Sequence, residues 1–215
     1  MNNIFHEKET TTLIGGSAGR LELKINGLAA TETPRGVGVI CHPHPLYGGA
    51  FDNKVCSTLA RAFHEAGFIA LRFNFRGVGA SEGTYAEGKG ECDDLHTVVR
   101  WVQQQVRGVP ITLAGFSFGG AVAAAYARDH AEHLQQLILI SPALGHYGFE
   151  LDDKVRMPML IIQGEADEVL PPELVYRWVQ NVSNDDVTLV RLLDAGHFYH
   201  GKLTELKNAI KQNVL

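Results

Sequence analysis

Cysteine is scarce in this chain. Cys41, Cys56 and Cys92 are its three examples in 215 residues, and none is spaced as a pair or as a metal clamp. A disulfide framework is thereby excluded, and so odd and sparse a count fits a reducing compartment, which points to the cytoplasm. Long hydrophobic runs are missing too: no apolar stretch approaches the roughly 20 residues that span a bilayer. The N-terminal stretch Met1 to Thr10 has neither an apolar centre nor a cleavage pattern, so no signal peptide is expected. Nor is there a basic excess. Lys and Arg number 19 against 24 Asp and Glu, a net charge of −5, which makes nucleic acid and anionic membrane poor partners. What is present, 45% hydrophobic and 20% charged residues, is the balance of a soluble globular protein. The length suits one well-cored domain and is short for two, so residues 1–215 are read as a single domain.

The chain opens with two short apolar stretches, Thr11 to Ile14 and the alternating Leu21 to Ile25. Glycines lie between them, which predicts an antiparallel hairpin at a sheet edge. After it, strand-like and helix-like segments alternate. Gly36 to Cys41, Phe68 to Phe75, Ile111 to Phe116, Leu137 to Ser141, Met157 to Gln163 and Val187 to Leu193 read as strands. Helices are predicted over Asn53 to Ala66 (with Asp52 as N-cap and Gly67 as stop), Glu91 to Val106, the alanine-rich stretch after Ser117, Pro172 to Val179 and Lys202 to Val214. That alternation implies an α/β fold: a mostly parallel sheet with helices on both faces.

One stretch carries chemistry. Gly115-Phe116-Ser117-Phe118-Gly119 joins an apolar strand directly to an alanine-rich helix. A chain that reverses within so few residues must strain the turn residue, and glycines two positions away leave room for it. The serine hydroxyl then stands at the sheet edge beside a helix N-terminus. In parallel sheets, chemistry gathers where loops leave the carboxyl ends of strands. Glu165, Asp167 and Glu168 follow one later strand, and His197 and His200 follow the next. A serine needs a base to take its proton, an imidazole can do so near neutral pH, and a carboxylate fixes the imidazole tautomer. The turn offered by Gly196 favours His197 over His200.

Other residues take blander roles. His42 and His44 are two apart, but no third ligand has suitable spacing, so no metal is expected; orienting the loop they belong to fits better. Asp93 and Asp94 read as helix-start residues that complement the macrodipole. The Arg76 to Gly83 loop lacks the Gly-Lys-Ser/Thr ending of a phosphate cradle. Phe116 and Phe118 are placed beside the substrate cleft.

His42-Pro43-His44-Pro45-Leu46-Tyr47-Gly48-Gly49, Arg72 to Gly79 and Gly115 to Gly120 resemble the α/β-hydrolase superfamily, and within it a group of small bacterial lidless serine hydrolases. The likeness runs from about Gly36 to His197. It implies an eight-stranded, mostly parallel sheet and acyl transfer by Ser117, with Asp167 as acid and His197 as base. It also implies an oxyanion hole using the Phe118 N–H and a second donor from the loop after the strand Gly36 to Cys41. Where many members carry His-Gly, this chain has His42-Pro43-His44-Pro45. Proline has no N–H, so the second donor is His44, Leu46 or Tyr47. Tyr47 and Phe116 are further expected at the cleft. Only some fifteen residues separate Ser141 from Met157, where many relatives insert a lid, so the site should be open. The expected activity is hydrolysis of small carboxylic esters or thioesters, without metal or organic cofactor. An acyltransferase, a peptidase or a non-catalytic ligand-binding module on the same fold are the rivals.

Overall fold

The computed structural model describes residues 3–145, 155–182 and 184–215. Eight strands form one sheet: β1 (Thr10–Gly16), β2 (Gly19–Asn26), β3 (Val37–Cys41), β4 (Ile69–Phe73), β5 (Ile111–Phe116), β6 (Gln136–Ile140), β7 (Met159–Gly164) and β8 (Val187–Leu192). Their spatial order is β1-β2-β4-β3-β5-β6-β7-β8. β1 and β2 form an antiparallel hairpin, β2 meets β4 antiparallel, and every later pairing is parallel. The helices are α1 (Lys54–Glu65), α2 (Lys89–Gln105), α3 (Phe118–His130), α4 (Pro172–Asn181) and α5 (Leu203–Asn213).

The strands read as unbroken apolar runs because both faces are buried. In β6, Leu137 and Leu139 join the core under α2, α3 and α4, whereas Ile138 and Ile140 join the core under α1 and α5. β7 alternates likewise, Met159 and Ile161 against Leu160 and Ile162. The chain moves one way from β3 to β4 and the other way from β4 to β5. Right-handed crossovers therefore put α1 and α2 on opposite faces. That reversal opens a crevice between the carboxyl ends of β3 and β5, the place where such sheets bind ligands.

Several ends differ from expectation for local reasons. Asn53, not Asp52, caps α1, its Oδ1 accepting the Val55 N–H at 2.8 Å. Asp52 instead pairs with Lys24 at 2.9 Å and Arg72 at 3.3 Å. β4 stops at Phe73; Asn74 N–H still reaches Glu22 O of β2, but the Phe75 N–H turns to the His42 ring. The β1–β2 ladder runs through Gly15 and Gly16 to Gly16↔Gly19, leaving Ser17 and Ala18 as the turn. α2 begins earlier than expected, with Glu91 in its first turn. Asp94 is thus not a helix-start residue; it is fully buried and takes a fork of bonds from Arg76, the shortest 2.7 Å. No helix among the described residues is long and apolar enough to cross a membrane. The connection expected to be too short for a lid lies largely outside the described residues.

Candidate active site

Ser117 follows β5 and precedes the first residue of α3, with φ 55° and ψ −119°. For a residue with a Cβ this is a strained backbone, and it persists because its surroundings fix it. The Ser117 N–H donates to Ile140 O at 3.0 Å, and the Ser117 carbonyl accepts from Gly120, Ala121 and Ala143. The flanking glycines are needed for approach: a Cβ on Gly115 would stand 2.2 Å from Gly119 O, and one on Gly119 would stand 2.4 Å from both Cys41 O and His42 O. The sharp reversal predicted from sequence therefore packs α3 against the end of β3. α3 is buried almost all round, which explains its run of alanines.

The Ser117 Oγ lies 3.0 Å from His197 Nε2, and His197 Nδ1 lies 2.8 Å from Asp167 Oδ2. Asp167 is buried, which works against its charge. The hydrogen bonds from His197, Leu170 N–H and Val169 N–H outweigh that and hold its carboxyl below the usual range. Gln163 Nε2 adds a further bond at 3.1 Å. An ionised carboxylate can only accept, so His197 Nδ1 carries the proton and Nε2 turns its lone pair to the serine. The competing carboxylates are occupied otherwise: Glu168 accepts the His197 backbone N–H at 3.1 Å, and Glu165 pairs with Arg191 at 2.7 Å. His200 is exposed and stacks beside Phe198. Gly196 serves close approach: a Cβ there would meet Glu168 Oε2 at 2.7 Å. The left-handed residues of this loop are Asp194, Tyr199 and Gly201.

His42 is sealed in, its Nε2 accepting the Phe75 N–H at 3.0 Å and its Nδ1 donating to Pro43 O at 2.6 Å. Burial pushes its pKa down to about 4. Both ring nitrogens are spent, so it orients the loop as a neutral tautomer and has no lone pair for a metal. Leu46, expected as an oxyanion donor, is a correction: its N–H donates to His44 Nδ1 at 3.2 Å. The Tyr47 N–H likewise turns to His44 O at 3.1 Å. Phe116, expected at the cleft, is fully buried, its ring 5.0 Å from that of His197, so it supports the imidazole and offers no surface to a ligand. Phe118 is also buried, between His44, Tyr85 and Phe75. Tyr47 is 80% exposed beside His44.

Sequence reasoning missed Gln163 and Tyr199. Tyr199 is fully buried, with Oη 3.1 Å from Ile162 O and 2.9 Å from Ser141 Oγ, so it ties the histidine loop to the ends of β6 and β7. Its place two residues after the histidine was the one available signal.

Residues 32–149, just over half the chain, match the family described as serine aminopeptidase, S33. The chain belongs to this family. It is similar to an α/β serine hydrolase homologue from Coxiella burnetii at 42% identity and a TM-score of 0.90, covering 96% of this chain and 97% of that one. It is also similar to an α/β serine hydrolase without lid from Xanthomonas campestris, at 37% identity and a TM-score of 0.89, covering 99% and 96%. An uncharacterised protein of Rickettsia prowazekii is 30% identical over 208 residues, 93% of this chain and 86% of its own. The protein is thus a serine hydrolase of the α/β-hydrolase fold, and the Xanthomonas campestris neighbour is one without a lid. The family implies a small-molecule substrate.

Proposed function

We propose that this hydrolase cleaves carboxylic esters or thioesters of small, soluble substrates through Ser117, His197 and Asp167. The observation that carries the reading is the continuous path Ser117 Oγ–His197–Asp167, at 3.0 Å and 2.8 Å. Ser117 Oγ attacks the carbonyl carbon while His197 Nε2 takes its proton. The tetrahedral intermediate collapses to an acyl-serine, and the leaving group departs with that proton. Water, deprotonated by the same nitrogen, then releases the acid and returns the proton to Ser117. Asp167 holds the tautomer and stabilises the transient imidazolium. Phe118 N–H, at the start of α3, is the first oxyanion donor. With the Leu46 and Tyr47 N–H groups bonded to His44 and both prolines lacking an N–H, His44 N–H is the second in this reading, and one such donor is worth ~3–4 kcal/mol in the transition state.

Surface chemistry supports an ester with an apolar part. Of seven large hydrophobics exposed among the described residues, five (Leu46, Tyr47, Val169, Leu193 and Phe198) lie on loops that leave the carboxyl ends of β3, β7 and β8, the edge of the sheet at which Ser117 stands. We read them as a shelf suited to a short acyl or aromatic group. An aminopeptidase would need a carboxylate for the substrate's ammonium group. Among the described residues of the loop after β7, Glu165 pairs with Arg191 and Glu168 with the His197 N–H, so neither stands ready for that role, which favours the ester reading. Free Cys41, Cys56 and Cys92 fit the cytoplasm as the proposed location.

The test is intact mass after exposure to a fluorophosphonate. One adduct on the wild type and none on Ser117→Ala is expected. An unlabelled wild type would remove the triad and leave a ligand-binding module.

A further inference from the structure

The far end of the serine-bearing helix carries a second group of side chains that ester hydrolysis does not use. His130 closes α3, and Glu132 and His133 sit in the single 3-10 turn that follows, Ala131–His133. One donor atom from each lies within 4.8 Å of the other two. His133 Nε2 is already 3.3 Å from Glu132 Oε1, and donors on a four-coordinate ion with ~2.1 Å bonds stand about 3.4 Å apart. The His130 and His133 rings are nearly parallel, 9° apart in plane with centres 6.2 Å apart, so one imidazole must rotate toward the other by about 1 Å for both to share an ion. His96 of α2 stands beside them, its ring centre 5.2 Å from that of His130. Two imidazoles sharing one tetrahedral ion have centres about 5 Å apart. His130 and His133 are half-buried and Glu132 is exposed, so an ion can enter from solvent. The unbonded carbonyls at a helix C-terminus also favour a positive charge.

We propose that His130, Glu132 and His133 form a binding site for a divalent first-row transition metal. Imidazole with carboxylate suits Zn²⁺, Ni²⁺ and Cu²⁺, and leaves Mg²⁺ and Ca²⁺ poorly served. The thirteen residues of α3 set this site about 20 Å from Ser117, so it is separate from the hydrolytic centre. A bound ion clamps the end of α3 to its following turn, with His96 within reach from α2.

Wild-type protein, stripped with a chelator and desalted, is titrated with Zn²⁺ by calorimetry near about pH 7.5, where imidazole is mostly neutral. One ion per chain is expected, with at least tenfold weaker binding in the His130→Ala/His133→Ala pair. The melting temperature of the wild type should rise with Zn²⁺, and that of the pair should not. His133→Gln alone, in a half-exposed turn, serves if the pair does not fold. Co²⁺ should give a spectrum without a thiolate charge-transfer band. Absence of one-to-one binding, unchanged affinity in a folded variant, or a thiolate band from Cys92 would each overturn the proposal.

Discussion

His42 shows how one side chain can be fixed by two obligate partners. Phe75 N–H can only donate and Pro43 O can only accept, so the ring between them must be neutral. Protonation would aim two donors at each other in a buried site. Its folded pKa of about 4 lies below the ordinary value of 6.5, so the unfolded chain takes up the proton first. The stability held by neutral His42 is therefore complete above about pH 6.5 and drains away as pH falls toward 4, a loss of about 3 kcal/mol. Urea unfolding of wild type and His42→Gln should show a gap at pH ~7 that closes by about that amount near pH ~4. A gap that stays constant would mean that the ring is not held neutral.

Between elements, a buried charge pair joins the glycine-rich loop to α2. Arg76 reaches Asp94 by Nε and Nη2, with its own N–H donating to Asp94 Oδ2 at 3.0 Å, and Nη2 also reaches Ser17 Oγ at 3.0 Å in the β1–β2 turn. Removing one partner of such a pair strands the other charge in a dry site. Asp94→Asn should cost about 3–5 kcal/mol, and replacing Arg76 by Met in the same chain should restore part of it. A urea midpoint within error of the wild type would show the pair to be energetically idle. This anchor was not legible from Asp94 alone. Its position near a predicted helix start suggested a dipole partner, and only the fold brings Arg76, eighteen residues earlier, onto it.

At the scale of the molecule, the proposed site lies at the carboxyl ends of β3 and β5, and the exposed apolar residues on the described loops at that edge are read as a shelf for the substrate. A p-nitrophenyl ester series should therefore favour short acyl chains, with efficiency falling by about tenfold or more once the chain outgrows the shelf. Rates should rise smoothly through the substrate's solubility limit, with no jump at the interface. A preference for long chains with such a jump would require a cover over the site. The sequence by itself determined the alternation of strands and helices, the elbow at Ser117 and the loops that bear Asp167 and His197. Those features rest on local periodicity and on glycines whose need is set within a few residues. Tertiary structure alone decided that Asp167 and not Glu168 meets the imidazole and that Leu46 turns its N–H inward. It also decided that Phe116 lies beneath His197 and that Tyr199 ties the histidine loop down. Each of these depends on which atoms of distant segments arrive at the same place, and no spacing along the chain records that.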